Sequence, residues 1–251
     1  MRARRPCQGM LAIARFNWPL YIAAMVVSFI SVAGLLASSA FVPKVISILA
    51  LTGSAYFLFG SLGVSHLIYD RSDLYRWGWL DRALHGATIQ RAIFCHSGFD
   101  ETSTELAAHL SKIEWQILDH FDEPRMTEPS IRRARRLFPP TPETLSAPYD
   151  RWPTASESAD VVFGLLAIHE LRNDSERGAW FAEARRCLSS SGRVIFVEHL
   201  RDIANFIAFG PGFLHFHSRL SWGRAWESAG FRLADEFRIT PWVRVFVLRA
   251  Q

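Results

Sequence analysis

The chain has 251 residues, of which 49% are hydrophobic, 13% aromatic and 21% charged. That much charge excludes a multi-span channel, and the aromatic content excludes a disordered tail; the length allows one ordinary domain with an appendage, or two small ones. The net charge of +4 is no nucleic-acid signature, because residues 1–69 hold Arg2, Arg4, Arg5, Arg15 and Lys44 and no acidic side chain. The rest of the chain is then near neutral and lacks the basic face of a nucleic-acid binder.

Residues 16–43 and 45–69 carry no formal charge, and each stretch exceeds the ~20 residues that cross a bilayer as helix. Trp18 and Tyr21 open the first, and Tyr69, Tyr75, Trp77 and Trp79 follow the second, at the depth that amphipathic rings favour. Gly34, Ala37, Gly53, Gly60 and Gly63 would let two helices approach closely, with a turn at Val42-Pro43-Lys44 between them. Arg4, Arg5 and Arg15 flank one outer end and Arg71, Arg76 and Arg82 the other, which predicts both termini in the cytoplasm. The expected organisation is a basic leader and two-helix membrane hairpin over 1–70, a juxtamembrane linker over 71–89 and a folded domain over 90–251, with the lipid bilayer as one partner. A cleaved signal peptide ending at Ala37-Ser38-Ser39-Ala40 is the competing reading; the second apolar stretch directly after the first argues against it. Two buried helices of a soluble protein are the other, and charge-free length argues against that. His66, inside the second stretch, is expected as a structural histidine.

Beyond residue 82 short apolar runs alternate with amphipathic stretches, the pattern of an α/β domain. Strands are predicted at 92–95 and 115–118, the second ending at Asp119, with a helix over 102–111 between them. Residues 129–137 read as a helix started by Pro129, whose missing N–H costs nothing there. A long proline-marked connection (Pro139, Pro140, Pro142, Pro148, Pro153) leads to a continuous apolar run at 160–167, as expected of a strand covered on both faces. Asp174 or Ser175 would cap the next helix and Gly192 would end it, before a buried strand at 193–197. A helix over 219–229 closed by Gly230, then strands at 231–239 and 243–248 broken by Thr240-Pro241, complete the chain. Cys7, Cys95 and Cys187 are odd in number and widely spaced, which argues against a disulfide framework and for a reducing compartment.

The segment 160–198 resembles the second half of the class I S-adenosylmethionine-dependent methyltransferases. It runs Val161-Val162-Phe163-Gly164-Leu165-Leu166-Ala167-Ile168-His169-Glu170-Leu171, then Glu183, Arg186, Leu188, Gly192 and Arg193 in the spacing E-x-x-R-x-L-x-x-x-G-R, then Ile195-Phe196-Val197-Glu198-His199. Gly230-Phe231 and the terminal hairpin also match. The resemblance covers about residues 85–250 and implies a Rossmann-like, mostly parallel seven-stranded sheet with a terminal antiparallel hairpin, behind two transmembrane helices, with S-adenosylmethionine as cofactor.

It further implies a cofactor site from His96, Ser97, Gly98 and Asp100 in the first loop, Asp119 for the ribose hydroxyls, and Leu166 beyond the central strand. The sequence departs here: the first loop reads Cys95-His96-Ser97-Gly98-Phe99-Asp100-Glu101-Thr102-Ser103 and keeps a single glycine, so it has fewer left-handed options and more bulk. Asp100 and Glu101 either meet the cofactor's ammonium or belong to a plain turn with a capping box of Thr102 and Glu105. Asp119 has a strand-end turn as its alternative, with Asp122 and Glu123 competing for the role. Arg132, Arg133, Arg135 and Arg136 read as a solvated face, or as contacts to anionic headgroups.

His169 and Glu170 after the central strand, and His199 after the next, stand at strand ends that border the ligand crevice in open α/β sheets; they are the catalytic candidates, with loop hydrogen bonding as the plain alternative. The aromatic, glycine-broken run 205–217 offers Phe209, Phe213, His215 and His217 for the acceptor, or phenylalanines for the core. His215 and His217 lack a third ligand, so no metal site is predicted. The expectation is a membrane-anchored S-adenosylmethionine-dependent methyltransferase acting on a small hydrophobic or lipid-like acceptor. The alternative is a catalytically inactive binding or scaffold protein on the same fold. A nicotinamide enzyme is disfavoured, since the chain holds no G-x-G-x-x-G.

Overall fold

The structure, a computed structural model, describes residues 5–251; Arg2 and Arg4 of the basic leader lie outside the described residues. Its centre is a seven-stranded sheet in the order β3-β2-β1-β4-β5-β7-β6. The strands are β1 (Arg91–His96), β2 (Glu114–Asp119), β3 (Leu145–Ser146), β4 (Ala159–Leu165), β5 (Leu188–His199), β6 (Phe231–Thr240) and β7 (Val243–Ala250). The first five pair in parallel, while β7 enters antiparallel between β5 and β6. The expected mostly parallel sheet with a terminal hairpin is therefore present, and β3 is a two-residue strand inside the proline-marked connection.

Helices cover both faces: α5 (Leu80–Ala83), α6 (Ser103–His109), α7 (Pro129–Leu137), α8 (Asp174–Cys187), α9 (Ile203–Phe209) and α10 (Arg219–Ser228). β4 and the centre of β5 are buried on both faces, which explains their unbroken apolar runs. On one face Trp180, Phe181, Trp222 and Trp226 pack on β5 and β7, where Phe196 and Phe246 stack 4.7 Å apart. Cys95 and Cys187 are free and buried here, and burial pushes both thiols up, Cys187 to about 11.

Three local expectations change. The cap of α8 is Asn173, whose amide donates to Glu176 at 3.1 Å, and the helix ends at Cys187, so Gly192 lies within β5. Thr102 is the N-cap of α6 but makes no side-chain cap bond; Asp100 accepts from the amides of Thr102 and Ser103 instead. The turn between the two apolar helices falls at 38–40, because Pro43 and Lys44 fit within the first turns of the second helix, where proline's missing N–H is an orphan anyway.

Those helices are α2 (Trp18–Ala37) and α3 (Phe41–Ala55), the latter running on through a π-turn, α4 (Leu62–His66) and a second π-turn to Arg71. Both are long and apolar enough to cross a membrane, and only 11% of each apolar window is buried. Phe29, Leu36, Phe41 and Phe59 are largely exposed, so these helices are not the core of the folded domain. His66 is half-buried beside Asp70 at 3.0 Å.

The leader is itself structured. Helix α1 (Gln8–Phe16) is amphipathic and packs against α7 and the end of the long helix. Asp70 accepts from the amides of Gly9 and Met10, at 2.7 and 3.1 Å, satisfying two first-turn donors that have no partner within the helix. Phe16 sits edge-on to Phe99 and Phe138, and its carbonyl accepts from Arg133.

Candidate active site

The carboxyl ends of β1, β4 and β5 open into a cavity of about 600 Å³, within the range of sites for small ligands and cofactors. Its floor is Phe94, Ser97, Leu165 and Leu166 from the strand ends, and its roof is Ala12, Ile13 and Phe16 of α1. The wall toward the apolar helices is Leu20, Tyr21, Phe57 and Ser61. One space thus joins the strand ends to the helices long enough to span a bilayer. Leu166 holds a left-handed backbone, φ 52, a conformation sparsely populated by a residue with a Cβ.

At one end the lining is polar. His169, Glu170, Glu128 and His215 meet there, brought together by the 3-10 turn Ile168–Glu170, the N-terminal residue before α7, and the 3-10 turn Gly210–His215. Glu198, fully buried, lies 2.7 Å from His169 Nδ1 and accepts from the amides of Ile168 and His169 on its other oxygen. His215 stands 3.0 Å from Glu128 through Nδ1 and 3.3 Å from Glu170 through Nε2. Burial pushes the His215 ring down, but its hydrogen bonds to the two carboxylates win and raise it to about 9. Glu128 is held below its usual range by the bond to His215.

His199 also borders the cavity, yet it is committed elsewhere. Tyr69 Oη is 2.9 Å from its Nε2, and Nδ1 meets the Trp242 carbonyl at 3.0 Å. Burial pushes it down to about 4, so it stays neutral and ties the end of the long helix to the terminal hairpin. His217 turns away from the cavity toward Arg177, 2.9 Å from Nε2; burial, then that guanidinium, push it down to about 3. His215 ends the 3-10 turn Gly210–His215, whereas His217 pairs with Leu200 in an isolated bridge, so the two rings do not share a strand face. Phe213 packs on Phe206 at 5.1 Å and is not among the lining residues, whereas Phe209 is.

Of the expected cofactor residues, Ser97 and Leu166 line the cavity. His96 is buried without a hydrogen bond from either ring nitrogen among the described residues, and Asp100 spends its carboxylate on α6. Gly98, at φ +86, closes against Phe121, which a Cβ would meet at 2.5 Å. Asp119 is buried: one oxygen accepts from the Gly98 and Phe121 amides at 2.8 and 3.0 Å, and the other from Arg135. Arg135 and Arg133 therefore turn inward from a run that reads as a solvated face. Glu128, Tyr69 and the whole of α1 are site components that sequence reasoning missed.

No known family profile matches the chain, and no curated protein matches its sequence. Solved structures do share its fold. Mitomycin 7-O-methyltransferase MmcR superposes with a TM-score of 0.57 at 15% identity, covering 99% of this chain and 74% of that one. An S-adenosylmethionine-dependent methyltransferase from Leishmania major gives 0.51 at 16% identity, covering 76% and 77%. A protein from Pyrococcus horikoshii OT3 gives 0.51 at 13% identity, covering 70% and 90%. With the strand order above, the fold is that of the class I S-adenosylmethionine-dependent methyltransferases. Two apolar helices long enough to span a membrane precede it.

Proposed function

We propose that the chain is an S-adenosylmethionine-dependent methyltransferase, anchored in the bilayer by α2 and the long helix after it, that modifies a small hydrophobic or lipid-like acceptor. The observation that carries this is the cavity. It begins at the strand ends where this fold keeps its ligands and continues, mostly apolar, to Leu20, Tyr21 and Phe57 on the membrane-spanning helices. An acceptor dissolved in the bilayer could then enter without crossing water.

Ser97, Glu101, Thr102 and Leu166 line the cavity and would hold the cofactor, which supplies a methyl group already activated on a sulfonium. Asp119 would take up a ribose only by giving up Arg135. What remains for the protein is positioning and exclusion of water: α1 and Phe16 cover the cavity, and His169 and Glu170 hold the nucleophilic end of the acceptor.

The test uses the full chain in detergent micelles or nanodiscs. Calorimetry with S-adenosylmethionine and S-adenosylhomocysteine should show binding, and labelled methyl should pass into a lipid extract in preference to water-soluble acceptors. Binding without transfer would support the scaffold alternative. Absence of binding would remove the enzymatic reading.

A further inference from the structure

We propose that His169, Glu170 and His215 form a binding site for one divalent transition-metal cation at the polar end of the cavity. The inference deepens the methyltransferase reading, because the cavity is the same, but its test is read without methyl transfer.

The donor atoms already stand close to coordination distances. One ligand atom from each of the three residues lies within 4.8 Å of the others. Glu170 Oε1 is 3.3 Å from His215 Nε2 and 3.6 Å from His169 Nε2. Donors about 2.0–2.1 Å from a tetrahedral ion sit about 3.3–3.4 Å from one another, so the two distances to Glu170 already match, and the rings, whose nitrogens lie within 4.8 Å of each other, close inward on the ion.

The surroundings carry the argument further. Each imidazole has a carboxylate on its far nitrogen: Glu198 at 2.7 Å from Nδ1 of His169, and Glu128 at 3.0 Å from Nδ1 of His215. With Nδ1–H donating to these carboxylates, both Nε2 atoms face Glu170, and the cation would take the place of the proton that His215 Nε2 now shares with Glu170. A carboxylate behind each ligating imidazole is the arrangement that fixes tautomer and orientation at metal centres. Glu198 cannot itself swing in as a ligand, since it is fully buried and its other oxygen holds two amides. Arg172 donates to the His215 carbonyl at 2.8 Å and stands 3.0 Å from His215 Nδ1, so Glu128 shares that nitrogen's surroundings with a guanidinium that also holds the backbone of the ligand.

Two imidazoles and one carboxylate suit zinc, iron, cobalt or manganese in the divalent state; calcium and magnesium prefer oxygen-only sets. The side facing the cavity stays open, so the cation has a position for an oxygen of the bound acceptor.

The full-length chain in detergent, stripped with a chelator, is titrated with Co²⁺ and then Zn²⁺, followed by calorimetry and visible absorption. One Co²⁺ per chain, displaced by Zn²⁺, is the expected result. His215→Ala and Glu170→Gln should weaken binding at least tenfold, and Glu198→Gln about 10- to 100-fold, with circular dichroism matching the parent. Zinc X-ray absorption on the unaltered chain should show two imidazole ligands, which keeps the test valid if a variant fails to fold. Substoichiometric binding, unchanged affinity in the folded His215→Ala and Glu170→Gln chains, or a zinc shell without two imidazoles would overturn the site. S-adenosylmethionine binding to the metal-free chain reports on the methyltransferase reading separately.

Discussion

Asp70 and Gly9 are joined at 2.7 Å, carboxylate to amide, and that bond fastens the roof of the cavity to the end of the long apolar helix. Gly9 is needed there for a steric reason as well: a Cβ would lie 2.3 Å from Cβ of Tyr69, whose hydroxyl reaches His199. Asp70→Ala should strand two first-turn donors at a cost of about 1–2 kcal/mol. Gly9→Ala should push α1 off its seat. Both variants are expected to lose amide protection across α1 in hydrogen exchange while the sheet keeps its own. Protection of α1 equal to the parent's would show that Phe16 alone holds the roof.

Asp119 illustrates a residue whose place in the fold is legible and whose use is not. Its carboxylate closes the turn after β1 by accepting from Gly98 and Phe121, and Arg135 covers the remaining oxygen while lying 4.6 Å over the Phe121 ring. Removing the carboxylate leaves two buried amides unpaired, each loss worth about 1–3 kcal/mol. Asp119→Ala should thus lower the unfolding midpoint clearly. Arg135→Ala should free one oxygen and tighten S-adenosylmethionine if the ribose uses it. Calorimetry on that variant decides: unchanged affinity would move the ribose contact to another residue.

Membrane attachment has its own readout. Phe29 and Ile30, 76% and 63% exposed, fall near the middle of α2. The full chain should stay with membranes through carbonate extraction. Replacing Ile30 by Arg should raise the cost of insertion by about 3–4 kcal/mol and release a measurable fraction to the supernatant. Complete extraction of the unaltered chain would sink the anchor.

The parallel strands were readable because a strand covered on both faces must be apolar throughout, as VVFGLLA and VIFV are, and because Pro129 marks the start of α7. The strand-end positions of His169, Glu170 and His199 followed from that frame. Helix α1 was hidden because QGMLAIARF precedes a stronger apolar signal and reads as a leader; its amphipathic face has meaning only once α7 lies beneath it. Glu128 was hidden for a similar reason. It is an ordinary acidic residue before a proline until the turn Gly210–His215 brings His215 to it. Local period shows which face is buried, but the partner across a cavity depends on chain crossings that no local pattern encodes.

His120 sets a pH dependence of stability. It is buried, stacked on Trp152 at 5.5 Å, and donates Nδ1–H to the Ala147 carbonyl at 3.0 Å, while Nε2 has no partner among the described residues. Burial pushes it down to about 4, and His96 beside it is also pushed down by burial. Above pH 6.5 the His120 ring is neutral in both the folded and the unfolded chain, so stability there does not depend on it. Below pH 6.5 the unfolded chain takes up a proton that the folded chain refuses, and stability falls until both are protonated near pH 4. At about 1.4 kcal/mol per pH unit the loss from His120 reaches about 3 kcal/mol across that window. Urea midpoints of the detergent-solubilised chain between pH 7.5 and 4.5 should fall accordingly. The His120→Gln chain should start lower at pH 7.5, where its buried hydrogen bond is poorer, and lose less on acidification. Parallel curves for the two chains would place the acid sensitivity in the other buried histidines.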